Sequence, residues 1–373
     1  MRIGLIAYST KTGLGYQTYD FARHIKCSKI LIPDLKRHNG MPTEHSKFDP
    51  LSDNIRIADN FPSREDAHWI TDDIDLLFVC ETPLNYDIFD MARDKGVKTI
   101  MQYNYEFLEY YRNKHQAKPD LLASPSYWNI EDTKAMQFAP VEYLPVPIDI
   151  TSITPRGISE VKKITHVGGR VAKNDRNNTK RFIEFAANFD QMTMIDDISL
   201  NRAELVYEVF LQTPQTNQAS NDFHEIKPLL HKAKELLGDR FSVRFDTENH
   251  LDMYKDSDLM ILPRKYGGLC LPLWESLAHG VPVMMPNIDP NNKILPYDWL
   301  TTAIESGSLE VHSKVPMYDV DLQTLMMDVI GMINNIEVNS KKARQLAVEH
   351  SWDVMQEKYY RLFQQLVDDE YIS

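Results

Sequence analysis

Glu275, Arg170 and Arg176 are side chains whose types and neighbours could do chemistry. A carboxylate near the start of a helix can accept hydrogen bonds from a ligand's hydroxyls, and guanidiniums in a glycine loop can hold phosphate oxygens. Glu275 lies in the stretch Pro263 to Pro286, P-R-K-Y-G-G-L-C-L-P-L-W-E-S-L-A-H-G-V-P-V-M-M-P. An apolar run, Asp258 to Leu262, reads as a buried strand ahead of it. Gly267-Gly268 then turns the chain into a segment with helical spacing at Leu273, Trp274, Leu277 and Ala278. Strand, glycine turn and helix N-terminus together present backbone N–H groups to an anion. An ordinary βαβ unit of an α/β core reads the same way.

Arg170 and Arg176 follow a second strand, Lys163 to Gly168, in the loop Gly169-Arg-Val-Ala-Lys-Asn-Asp-Arg-Asn-Asn-Thr179, which leads into a helix from Lys180 to Asn188. Two glycines with Arg170, Lys173 and Arg176 behind them suit a diphosphate, since backbone N–H groups approach closely and cations neutralise charge. The alternative is a loop of solvated cations. A third loop, Ser9 to Gly15, follows the first strand and carries Gly13 and Gly15. Thr18 stands where a dinucleotide fingerprint needs its third glycine, which leaves a tight turn as the other reading. Glu81 ends the buried strand Asp73 to Cys80, and Tyr103 and Asn104 follow the strand Val97 to Gln102. Glu81, Asn104 and Glu106 could line one cleft, or Glu106 and Glu109 could be the polar face of a helix.

The elements that must position these residues alternate between strand and helix along the whole chain. Each half therefore reads as a parallel sheet with helices on both faces. Val141 to Asp149 reads as the last strand of the first half, and a helix is expected from about Ile226 to Leu237 after a polar loop, Thr213 to Asn221. The stretch Pro147 to Ser159 reads as a linker. The expected domains are 1–150, 151–351 and a last helical segment, 352–373, opened by Trp352.

Composition bounds the function. At 373 residues, with 43% hydrophobic and 25% charged residues, the chain has globular values and a length that favours two cores. A net charge of −13 spread along the chain speaks against a broad nucleic-acid face, leaving a local group of Lys11, Arg23, Lys26, Lys29, Lys36 and Arg37 in the first half. Cys27, Cys80 and Cys270 have no metal or redox spacing and are expected to be buried thiols in a reducing cytoplasm. No signal-peptide core and no run near the ~20 apolar residues of a membrane span is present, so a cytoplasmic protein, at most peripheral at a membrane, is expected.

Asp258 to Pro286 resembles the nucleotide-sugar signature of retaining glycosyltransferases of the GT-B fold in the large family 4 group, P-x-x-x-E-G-F-G-L-P-x-x-E-A-x-A-x-G-x-P-V. Gly168-Gly-Arg170 with Asp175 to Thr179 resembles that group's G-R-loop-R-K-N motif. Leu251-Asp-Met-Tyr-Lys-Asp-Ser-Asp258 resembles its l-x-x-x-Y-x-x-a-D segment, Thr12 to Gly15 its N-terminal glycine loop, and Ser351-Trp352 the S-W that opens its last helix.

The resemblance implies two Rossmann-like, doubly wound domains facing across a cleft, with the C-terminal helix packing back on the first. It implies glycosyl transfer from a nucleotide-diphosphate sugar, with no cofactor and no metal required. Glu275 would accept the ribose hydroxyls, the N–H groups of Gly268, Leu269, Cys270 and Leu271 would face the donor, and Arg170 with Arg176 or Lys173 would hold the diphosphate beside Gly169. Gly13 and Gly15 would belong to the donor side, and Glu81, Tyr103 and Asn104 to the acceptor side. The acceptor is expected to be a glycan, a small molecule or a hydroxymethylated base of phage DNA, with a catalytically weak nucleotide-sugar-binding protein as the alternative. Three positions depart from the pattern: Gly267 replaces the first Glu of the E-x7-E pair, Asn177 the loop lysine, and Tyr103 or Asn104 a histidine of the first domain.

Overall fold

The computed structural model describes residues 1–35, 43–114, 117–171, 175–191, 204–213, 217–310 and 312–370. The chain forms two compact units, one of Met1–Asp149, Glu310–Lys314 and His350–Ser373, the other of Ile150–Leu309 and Val315–Glu349.

In the first unit, strands β1 (Ile3–Ile6), β2 (Lys29–Pro33), β3 (Ile55–Ala58), β4 (Leu76–Cys80), β5 (Lys98–Gln102), β6 (Leu121–Ser124) and β7 (Val141–Tyr143) form one sheet in the order β3-β2-β1-β4-β5-β6-β7. Every neighbour pair is parallel, with Ile3 opposite Leu76 and Leu76 opposite Lys98. All residues of β1 and β4 are buried, the signature of a sheet covered on both faces. The helices are α1 (Gly13–His24), α2 (Arg64–Ile70), α3 (Asp87–Asp94), α4 (Tyr105–Lys114) and α5 (Ile130–Ala135). The expected strand Val141 to Asp149 shrinks to β7, because Pro145 and Pro147 have no N–H to give a ladder.

The second unit repeats the plan. Strands β8 (Lys163–Gly169), β9 (Val206–Leu211), β10 (Phe241–Phe245), β11 (Leu259–Ile261), β12 (Val283–Pro286) and β13 (Leu300–Thr301) take the order β10-β9-β8-β11-β12-β13, again all parallel. Around them lie α6 (Thr179–Phe189), α7 (Asn217–Leu237), α8 (Asp252–Lys255), α9 (Leu271–Ala278), α10 (Leu322–Asn334) and α11 (Ile336–Glu349). Helix α7 starts nine residues before the expected Ile226, inside the stretch that reads as a polar loop. A pair of strands, β14 (Ala303–Glu310) and β15 (Lys314–Val320), adds to the expected elements. Most of β14 is exposed, so no apolar alternation announces it.

Both sheets thus have the doubly wound strand order, and the expected pair of Rossmann-like α/β domains is observed. The last helix, α12 (Trp352–Val367), packs into the first unit's core. Trp352, Tyr359, Leu362, Phe363 and Leu366 join Phe21 and Phe78, whose rings stack at 4.4 Å. Each such side chain contributes about 2 kcal/mol by burial. The Tyr359 hydroxyl donates to the Pro145 carbonyl at 2.6 Å and His350 donates to the Val146 carbonyl at 2.9 Å, which ties the returning chain to the end of β7. Among the described residues, no helix is long and apolar enough to cross a membrane.

Candidate functional site

In an open α/β sheet, ligands bind beyond the carboxyl ends of the strands where the order reverses. In the second unit that point lies between β8 and β11, and the sequence's two candidate loops leave from these two strands.

The β8 loop is shaped by close packing. A Cβ on Gly168 would lie 2.6 Å from Thr179 Oγ1 and 2.7 Å from Leu211 Cδ2, so only glycine fits there, while Gly169 has φ +59°. Asn177 Nδ2 donates to the Gly168 carbonyl at 2.7 Å. The Asp175 carboxylate accepts from the N–H groups of Thr179 and Lys180, both at 3.0 Å, and so caps α6. Beneath the loop His166 is fully enclosed, and burial pushes its pKa down to about 4. A neutral imidazole has one N–H; here Nδ1–H donates to the Ile261 carbonyl at 2.8 Å and Nε2 accepts from the Thr179 hydroxyl at 3.1 Å. This side chain fixes β8, β11 and α6 to one another.

The two loops meet. The Lys265 N–H donates to the Arg176 carbonyl at 2.9 Å, and the Arg176 guanidinium donates to the Gly267 carbonyl while lying 4.6 Å from the centre of the Tyr266 ring. The Tyr318 N–H holds the Lys265 carbonyl at 2.7 Å from β15. On the same strand Asp319 pairs with Arg181 through two bonds, at 3.1 and 2.6 Å, and this guanidinium helps hold its carboxyl below the usual range. Gly268 has φ +106°, a conformation that favours glycine, and the chain then enters α9 with no side chain capping its N-terminus. Backbone N–H groups are therefore presented at the switch point.

Glu275 lies one turn into α9 and is only 5% exposed. Its Oε2 accepts a 2.5 Å hydrogen bond from the Tyr254 hydroxyl, and its Oε1 lies 3.1 Å from His250 Nε2. Burial first, then the Glu275 charge, raise the Tyr254 pKa well above its ordinary value, so the phenol stays a donor. His279 Nδ1 donates to the Glu275 carbonyl at 2.8 Å, and burial lowers its pKa. Each carboxylate oxygen has a second lone pair, so this fixed carboxylate can still accept bonds from hydroxyls.

The structure brings together Gly169, Arg176, Gly268, Leu269, Cys270, Leu271 and Glu275 at one end of one sheet. Arg170 is exposed at the same strand end. Lys173 lies outside the described residues. Gly13 and Gly15 belong to the first unit, in the first turn of α1, where a Cβ on Gly15 would lie 1.8 Å from the Thr10 carbonyl oxygen; close packing accounts for that glycine. Glu81 follows β4 beside the first unit's own switch point, with φ +66° and its N–H on the Gln102 carbonyl at 2.7 Å. Asn104 is half-buried before α4. Tyr103 is 2% exposed, with burial raising its pKa, which puts it in the core rather than at a ligand surface. Glu106 is buried as well, and its carbonyl accepts from the Ser313 N–H at 3.1 Å, so it does not belong to an exposed polar face.

Sequence reasoning missed Tyr254, His250 and His166 as holders of the site. Tyr254 is the tyrosine of the Leu251–Asp258 segment and was legible as part of that pattern. His250 and His166 had no such signal. Arg264 was also missed: it follows β11 and is 6% exposed.

No protein-family model matches the chain, and no curated protein sequence matches it. Solved structures do. Sucrose-phosphate synthase from Thermosynechococcus elongatus is 13% identical with a TM-score of 0.63, over 99% of this chain and 100% of that one. Anabaena Alr3699/HepE, in complex with UDP and glucose, is 11% identical with a TM-score of 0.70, over 98% and 100%. The trehalose-6-phosphate synthase OtsA is 10% identical with a TM-score of 0.64, over 98% and 99%. At such identities the likeness is one of fold, and that fold is GT-B.

Proposed function

We propose that this chain is a glycosyltransferase that moves a sugar from a nucleotide-diphosphate sugar to an acceptor hydroxyl with retention at the anomeric carbon. The observation that carries this reading is the Glu275 carboxylate, held by Tyr254 and His250 below the uncapped start of α9, where the β8 and β11 loops meet. Glu275 takes the ribose hydroxyls, as a fixed carboxylate suits a cis-diol. The N–H groups of Gly268, Leu269, Cys270 and Leu271 face the phosphates, and Arg170 and Arg176 stabilise charge on the diphosphate as it leaves. The leaving phosphate oxygen assists the incoming hydroxyl on the same face, so the reaction needs no protein nucleophile, and the guanidiniums and N–H groups at the diphosphate take the part a divalent metal would otherwise play. Glu81 and Asn104 are the proposed acceptor-side residues. The UDP and glucose bound to Alr3699/HepE make UDP-glucose the first donor to try.

A DNA acceptor is not carried forward. Lys11 pairs with Glu44 at 3.0 Å, Arg23 with Asp149, and Lys29 donates to the Trp69 and Asp72 carbonyls at 3.0 and 2.7 Å, so these cations serve the first unit itself. Lys36 and Arg37 lie outside the described residues.

The test is incubation with UDP-, GDP- and ADP-sugars, with and without a chelator, against a panel of glycan and small-molecule hydroxyls. Transfer that survives the chelator, with the donor's anomeric configuration kept in the product by NMR, is expected. An inverted product contradicts the mechanism. Tight donor binding with neither transfer nor hydrolysis favours a binding protein instead.

A further inference from the structure

Arg264 leaves β11 at the second unit's switch point and is 94% buried as a residue, at 6% exposure. A guanidinium does not deprotonate in proteins, and a charge out of water needs a counter-charge. Among the described residues its Nε has no hydrogen-bond partner, and no carboxylate pairs with it. Three residues on, Gly267 has no carboxylate to offer.

The neighbouring cations are held differently and are less enclosed. The half-buried Arg176 guanidinium donates to the Gly267 carbonyl and lies against the Tyr266 ring. Asn177, at the position of the motif's lysine, is neutral and donates to the Gly168 carbonyl at 2.7 Å. Lys180 and Arg170 are exposed. The backbone pins Arg264 beside the β8 loop: its own N–H donates to the Leu262 carbonyl at 2.8 Å, and the next residue's N–H bonds to Arg176 at 2.9 Å.

We propose that Arg264 is the buried cation of the diphosphate site, its guanidinium taking non-bridging phosphate oxygens of the donor in place of the lysine that the Arg170 loop lacks. The inference rests on the proposed donor site. Gly267 belongs to the same arrangement: a glutamate there could neutralise Arg264 from within, whereas glycine leaves the charge to the ligand.

Calorimetry on the full chain tests it. UDP, GDP and ADP are titrated first, and the nucleotide that binds is then compared as diphosphate, monophosphate and nucleoside in wild type, Arg264→Met, Arg264→Lys and Glu275→Gln. Methionine keeps the apolar stem's bulk without burying a charge. Arg264→Met should weaken the diphosphate by ~30-fold, an effect of one buried charge-assisted contact, and the monophosphate and nucleoside far less. Arg264→Lys should recover part of the loss. Glu275→Gln should weaken all three forms alike, since its partner is the ribose. An equal loss for all three forms in Arg264→Met, or none, overturns the inference and leaves the donor site standing. Loss for UDP-glucuronate but not for UDP-glucose or UDP also overturns it, because the bound oxyanion is then on the sugar. If only Glu275→Gln has no effect, the ribose assignment fails and Arg264 stands. If neither a nucleotide nor inorganic pyrophosphate binds wild type, both readings fall.

Discussion

The Tyr254 hydroxyl donates a 2.5 Å hydrogen bond to Glu275 Oε2 from a site closed to water, so the orientation of the carboxylate is set before any ligand arrives. Hydrogen bonds to charged groups are worth about 1.5–3 kcal/mol, and Tyr254→Phe removes this one with little change in volume. The variant should lose donor affinity by about tenfold, and its melting temperature should fall by several degrees. Calorimetry and thermal unfolding read both. A donor affinity unchanged in Tyr254→Phe would mean that the carboxylate needs no such support.

Arg176, proposed to face the diphosphate, also joins the two loops. Arg176→Lys keeps the charge but loses the planar contact with the Tyr266 ring and the fork that reaches the Gly267 carbonyl. The expected result is a drop of about tenfold in kcat/KM with a fold unchanged by circular dichroism. Wild-type kinetics in this variant would show that charge alone is what matters at position 176.

Glycine geometry gives a pair of contrasting variants. Gly15→Ala places a Cβ 1.8 Å from the Thr10 carbonyl oxygen, a backbone atom that cannot swing away, so the first unit should lose roughly 1–3 kcal/mol in urea unfolding. Gly268→Ala instead strains a turn with φ +106° at the start of α9, so nucleotide affinity should fall more than stability does. Comparable stability losses with no change in affinity would remove Gly268 from the site.

Acid should weaken the fold through buried imidazoles. His166 and His350 have folded pKa values pushed down by burial to about 4, against an ordinary 6.5. Between these values the unfolded chain binds protons that the folded chain does not, so stability rises with pH there. The contribution is complete above about pH 6.5 and is lost as pH falls towards about 4, on the order of 3 kcal/mol for each group at most. Urea midpoints measured across this window should fall with pH. Midpoints flat from pH 7 to 4 would show that these imidazoles take up protons in the folded chain.

Much of the fold was legible because parallel strands buried on both faces read as short apolar runs, such as Leu76 to Cys80, punctuated by glycines. The β14–β15 pair was not, since β14 is mostly exposed and no core period marks it. Glu275 and the Arg176 loop were legible from strand, glycine and helix order. Their supports were not: His166 lies in a strand like any apolar residue, and His250 meets Glu275 across 25 positions. Tyr103 shows a different limit, a tyrosine at a strand end whose burial the sequence does not announce.

The central claim is that Glu275 holds the donor's ribose. Calorimetry with UDP-, GDP- and ADP-sugars on wild type and Glu275→Gln tests it most directly. A donor that binds wild type and loses about tenfold or more in Glu275→Gln, with the variant's fold intact, is the expected result. Equal donor affinity in the two proteins would contradict it.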